Sequence, residues 1–136
     1  MSNLIATISK IESCDNLHII YFNFNGQSLT MMSLELDINI KVGSTVKLSI
    51  KPTHIGIGKN ISGDLSYSNQ LNSIIVSIEK GKLLSSIILK LEDNSNTTLE
   101  SIITKKSVQR LDLKENDKIT AIIKASDISI LKGLDD

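Results

Sequence analysis

Thr104-Lys105-Lys106-Ser107 sets two hydroxyls and two ammonium groups within four residues, where an isoleucine-rich run gives way to the three-residue spacing of Val108 and Leu111. That spacing predicts a short helix with Thr104 as its cap. The first amides of a helix lack partners within it and its dipole is positive there, so hydroxyls gathered at that end suit an oxyanion. Lys124, at the end of a strand-like run, adds a full positive charge, Ser126 a further donor, and Ser66 and Ser68 two more hydroxyls. The same residues also fit a plainer role, with Thr104 a cap and Lys105 and Lys106 a solvated face.

Catalysis has less to work with. His18 and His54 are the two histidines, each in a strand-like context without a Cys or carboxylate at ligand spacing, and Cys14 has no evident activating neighbour. "GIGKN" (56–60) lacks the four-residue spacer and the Ser or Thr after Lys that a phosphate-binding loop requires. The carboxylates are scattered. These features point to a binding protein that is not an enzyme, with no resident cofactor and no direct metal ligand.

Composition narrows the partners. With 15 basic and 15 acidic residues the formal charge is zero, and only Tyr21, Phe22, Phe24 and Tyr67 are aromatic. A single-strand nucleic-acid site combines a basic groove with stacking rings, so that role is disfavoured. No apolar run approaches the ~20 residues that span a bilayer, and the N-terminus lacks a basic stretch followed by an apolar one. Cys14 is alone and forms no internal disulfide. A cytoplasmic location is the expectation, with no membrane and no nucleic acid as partners.

The elements that must position these donors are read twice along the chain. "SKIES" (9–13) resembles "VSIEK" (76–80) at an offset of 67, and "KVGSTVKLSIKPTHIGI" (41–57) resembles "KENDKITAIIKASDISI" (114–130) at an offset of 73. The drift implies about six extra residues in the middle of the second copy. In that copy, strands are predicted at 71–78, 85–91, 98–103, 118–124 and 128–130, with the helix after the third. The first copy repeats the order at 4–11, 17–24, 28–32, 45–50 and 54–57, but "SLELDINI" is too short to predict a helix there. Three strands, a short helix and two strands is the order of a five-stranded OB-like barrel. The expected fold is mainly β, two tandem barrels at residues 1–58 and 66–132, joined by a linker at 59–65.

"SYSNQL", "IIVSIEKG" and "SIITKKSVQRLDLKENDKITAIIKASDISI" together resemble the Mop-type TOBE domain of the molbindins, over about residues 66–131. Residues 2–58 resemble it more loosely, most clearly in "VKLSIKPTHIGI". The resemblance implies a tandem di-Mop protein that binds molybdate or tungstate by hydrogen bonds where subunits meet, as a homo-oligomer and most simply a trimer. Position by position it implies Ser66 and Ser68 in the opening binding segment, Thr104 and Ser107 at the helix start, and Lys124, Ala125 and Ser126 as the other wall. Ser68 stands where the family usually has Arg, which removes a guanidinium and its paired hydrogen bonds. Lys105 and Lys106 are the compensating candidates. In the first copy the counterparts are Ser33, with Leu36 where a serine would follow, and Lys51-Pro52-Thr53, so that site is degenerate. The implied role is a buffer or store. The alternatives are an oxyanion-sensing module acting through a partner protein and, behind it, an OB-type nucleic-acid binder.

Overall fold

Residues 2–134 are described in a computed structural model of the chain. The protein is mainly β. Strands β1 (Ser2–Cys14), β2 (Leu17–Phe24), β3 (Gln27–Ser33) and β4 (Thr45–Ile50) are followed by a 3-10 turn, Pro52–His54, and β5 (Gly56–Gly58). The second half runs β6 (Asn69–Lys80), β7 (Leu84–Leu91), β8 (Thr98–Thr104), α1 (Lys105–Leu111), β9 (Lys118–Ile123), a 3-10 turn at Ala125–Asp127, and β10 (Ile128–Gly133).

Alternation builds each sheet. Along β1, Leu4, Ala6 and Ile8 are buried while the residues between them are exposed, and along β6 Leu71, Ser73 and Ile75 are buried. Successive side chains on a strand point to opposite faces, so each strand gives one face to the core. Fully burying an Ile or Leu stabilises by roughly 1.5–3 kcal/mol. One hydrophobic cluster runs through both halves, from Leu4, Phe22 and Leu48 to Leu71, Ile87 and Ile123.

Both repeat offsets are physical. Leu4 faces Leu48 between β1 and β4, and Leu71 faces Ala121 between β6 and β9, which is the same register displaced by 67 and 73. A bulge interrupts β1 between Ile8 and Lys10, and another interrupts β6 between Ile75 and Ser77, 67 residues on. The extra residues lie in two places. Asn25-Gly26, both at positive φ, close the β2–β3 hairpin, whereas residues 92–97 form the longer β7–β8 loop. The β8–β9 connection, which contains α1, is two residues longer than the β3–β4 connection.

Strand order departs from two self-contained barrels. The first sheet is ordered β10-β4-β1-β2-β3 and the second β5-β9-β6-β7-β8. The strand expected at 54–57 to complete the first copy is instead Gly56–Gly58, paired with β9, and His54 belongs to the preceding turn. The strand expected at 128–130 to complete the second copy pairs with β4 of the first. Each half therefore lends its fifth strand to the other. Each sheet curls toward closure, with β10 approaching β3 and β5 approaching β8.

Residues 59–65 contain no helix or strand, but they are tied down. Lys59 Nζ donates to the carbonyls of Leu111 and Asp112 at 3.1 and 2.9 Å, at the C-terminal end of α1, and pairs with Asp117 at 3.4 Å. A cation at that end satisfies orphan carbonyls and opposes the negative dipole end.

Candidate oxyanion site

Thr104 caps α1 as its sequence predicts. Its backbone is extended and its Oγ1 accepts from Ser107 N at 3.1 Å. The Thr104 hydroxyl also donates to Ser107 Oγ at 2.9 Å, so the Ser107 hydroxyl hydrogen is the one left to point outward. The helix start offers fewer free amides than the sequence suggests, because Lys105 N already donates to the Leu83 carbonyl at 2.8 Å. Thr104 and Lys106 are exposed, Lys105 and Ser107 half-buried.

The opening segment and the second lysine meet. Ser66 and Ser68 are exposed on either side of Tyr67, and Lys124 Nζ stands 5.9 Å from the centre of the Tyr67 ring. A cation over an aromatic face at an exposed site contributes about 0.5–1 kcal/mol, enough to bias where Lys124 spends its time. Gln70 Nε2 donates to the Tyr67 carbonyl at 2.9 Å and fixes the segment from the other side. Sequence reasoning passed over Tyr67. Its signal was an aromatic set between two serines in a chain with very few aromatics.

The 3-10 turns decide which donors share a wall. The Ala125–Asp127 turn packs on β3, which ends at Ser33, and the Pro52–His54 turn packs on β8, which ends at Thr104. Ser126 and Ser33 accordingly line one open groove of about 940 Å³, with Met31, Leu36 and Ile130. Ser33 is partly engaged there, donating to the Glu35 carbonyl and accepting from Glu35 N. Ser126 also lines a smaller cleft of about 290 Å³ with Lys51, His54 and Asp127. His54 Nδ1 lies 3.7 Å from Asp127 Oδ1, and the two residues occupy equivalent positions in the two copies. Thr53, like Lys51, is exposed.

The structure thus joins Ser66–Ser68 to Lys124, Ser126 to Ser33, and Lys51 to Ser126. Among the described residues no hydrogen bond joins Thr104 or Ser107 to Lys124 or Ser126. The described residues include no group of three His, Cys, Asp or Glu able to hold a metal ion, and no helix long and apolar enough to cross a membrane.

Two interlocked five-stranded sheets, each curling toward closure, define a tandem small-barrel protein. The TOBE domain model matches residues 65–130. Molybdenum-pterin-binding protein 1 of Clostridium pasteurianum is 36% identical over 67 residues, 49% of this chain and 96% of that protein. Molybdenum-pterin-binding protein 3 of the same organism is 34% identical over the same length and coverage. The chain belongs to the TOBE-domain family, with these molybdenum-pterin-binding proteins among its relatives. Along nearly its whole length it resembles the crystal structure of ModG, a cytoplasmic molybdate-binding protein with molybdate bound, at a TM-score of 0.88 and 25% identity, covering 94% of this chain and 93% of that one.

Proposed function

We propose that the chain is a cytoplasmic oxyanion-binding protein that buffers or stores molybdate or tungstate, taking up the intact dianion without making or breaking a bond. The observation that carries this reading is the end-to-end likeness to a protein solved with molybdate bound, over 94% of this chain. Ser66, Ser68, the Thr104–Ser107 pair and the Lys124-Ala125-Ser126 turn are the proposed donors, with Lys105, Lys106, Ser33, Lys51 and Thr53 as secondary ones. They offer hydroxyls and amides for a tetrahedral anion and one lysine close to the opening segment.

A charged ligand gains most from hydrogen bonds shielded from water, yet Ser66, Ser68, Thr104, Lys124 and Ser126 are all exposed in one chain. A second copy supplies the missing cover, so we read the active form as a homo-oligomer, a trimer by resemblance. In it Thr104 and Ser107 of one copy meet the lysine wall of another. Linkage then makes the ligand stabilise the assembly. Calorimetric titration with molybdate, tungstate and sulfate tests the reading. Molybdate and tungstate are expected to bind, with sulfate, a smaller anion, at least about tenfold weaker. Absence of heat with both larger anions in the assembled protein would overturn it.

A further inference from the structure

Asn69 is fully buried, 0% exposed, at the first residue of β6. Its side chain is used at both ends. Oδ1 accepts from Thr30 N at 2.7 Å, while Nδ2 donates to the Thr30 carbonyl at 2.9 Å and to the Ile123 carbonyl at 3.2 Å. Thr30 lies in β3, the edge strand of the first sheet, and Ile123 ends β9 of the second. One carboxamide therefore supplies the donor and acceptor that a neighbouring strand would have offered Thr30, across the junction of the two sheets. A serine offers a single oxygen and cannot do this. The equivalent residue of the first copy is Ser2, which makes one such bond, accepting from Glu100 N at 3.0 Å.

What this carboxamide holds is adjacent in the chain. Ser66–Ser68 immediately precedes Asn69, and Lys124 immediately follows Ile123. We propose that Asn69 is the positioning residue of the oxyanion site. It locks the opening segment and Lys124 to each other and to β3 of the first barrel, so that the donors stand ready before the ligand arrives. The equivalent corner at Ser2 is held by fewer bonds and is the less organised of the two. Donor sets held to within about 0.5 Å bind far better than loose ones, because the ligand need not order them. The consequence for affinity rests on the oxyanion reading above. The positioning itself does not.

The test uses the 136-residue chain carrying Tyr21→Phe, which leaves Tyr67 as the one tyrosine in a chain without tryptophan. Asn69→Ser, which copies the Ser2 corner, is compared with Ile75→Val, a reference that loosens the buried core of the same strand. Two quantities are read: molybdate affinity by calorimetry, and acrylamide quenching of Tyr67 fluorescence without ligand. Asn69→Ser is expected to weaken molybdate binding tenfold or more and to raise Tyr67 quenching, while Ile75→Val leaves both within about twofold. An Asn69→Ser protein that is folded yet binds as its parent does, or loses no more than Ile75→Val at a matched melting temperature, would overturn the proposal. If Asn69→Ser does not fold, Asn69→Thr, with its higher strand propensity, carries the same expectations. If the parent binds neither molybdate nor tungstate, the oxyanion reading falls alone. Tyr67 quenching then decides the positioning, and unchanged quenching in Asn69→Ser overturns it.

Discussion

Lys124 and Ser68 bear on the same question, which is where the positive charge for a dianion comes from. Ser68 holds the position that resemblance assigns to Arg, and Lys124 reaches the same segment through the Tyr67 ring. Charge-assisted hydrogen bonds contribute about 1.5–3 kcal/mol, so Lys124→Ala is expected to weaken molybdate binding about tenfold to a hundredfold in calorimetry. Lys105→Ala and Lys106→Ala serve as comparisons. If those lysines are a solvated face, their loss changes affinity by less than about threefold, with the effect vanishing in salt. Ser68→Arg is expected to tighten binding about tenfold, provided the fork reaches the ligand in the space beside Tyr67. A folded, assembled Lys124→Ala with parental affinity would remove this lysine from the site.

At the scale of elements, the two copies diverge after their third strand, and local hydrogen bonds explain it. In the first copy Ser33 bonds the Glu35 backbone and Asp37 Oδ1 accepts from Asn39 N at 2.9 Å, turns that compete with a helix. In the second, the Thr104 cap starts α1, the left-handed Asp112 ends it, and Lys59 seals its last carbonyls. Lys59 is in turn held by Asp117, whose carboxyl is kept below its ordinary value of 3.8 chiefly by the hydrogen bond from Lys114 N, with Lys59 assisting against a smaller opposing effect of burial. A carboxylate with a lowered folded pKa stabilises above its unfolded value, and that contribution disappears as pH falls through the folded one. Thermal melts of the parent and Asp117→Asn are therefore expected to differ at pH 7 and to converge as pH falls below about 4. A gap that stays constant down to pH 2 would count against the carboxylate as its source.

For the whole molecule, exchange of β5 and β10 makes the halves depend on each other. Further bonds cross between them, including Ser101 Oγ donating to the Ile55 carbonyl at 2.5 Å and Gln27 Nε2 donating to Asp93 at 3.0 Å. Cutting the chain within 59–65 would leave β9 without β5 and β10 without β4. A fragment of residues 66–134 is thus expected to dimerise in light scattering, with β10 of each copy covering the vacant edge of the other's β9. A folded monomer would show that the second half closes on itself. The intact chain has its own reason to assemble. Leu34, Ile38 and Leu131 are exposed, Ile38 by 89%, and the first and last border the groove shared by Ser33 and Ser126. Light scattering at micromolar concentration is expected to show a homo-oligomer, and added molybdate is expected to stabilise it.

The sequence by itself determined the order of the strands, the repeat and the position of the one α-helix among the described residues, because those depend on local signals: isoleucine-rich runs bounded by polar residues or glycine, the two matching offsets, and the Thr104 cap. The same two offsets reappear in strand register, since a slip by one residue would turn Leu4 or Leu71 out of the core. Which half receives each fifth strand was decided only in three dimensions. Gly56–Gly58 and Ile128–Gly133 are short, and β4 and β9 present equivalent edges, so nothing local distinguishes a strand's own barrel from its neighbour's. The same holds for the donors. The types and spacing of the proposed donors are legible in Ser66, Thr104 and Lys124, but their neighbours depend on that exchange. It packs the Lys124 turn on β3 rather than beside Thr104, and leaves Asn69, which the sequence marks through the "SYSNQL" resemblance without assigning it a role, to bridge the two sheets.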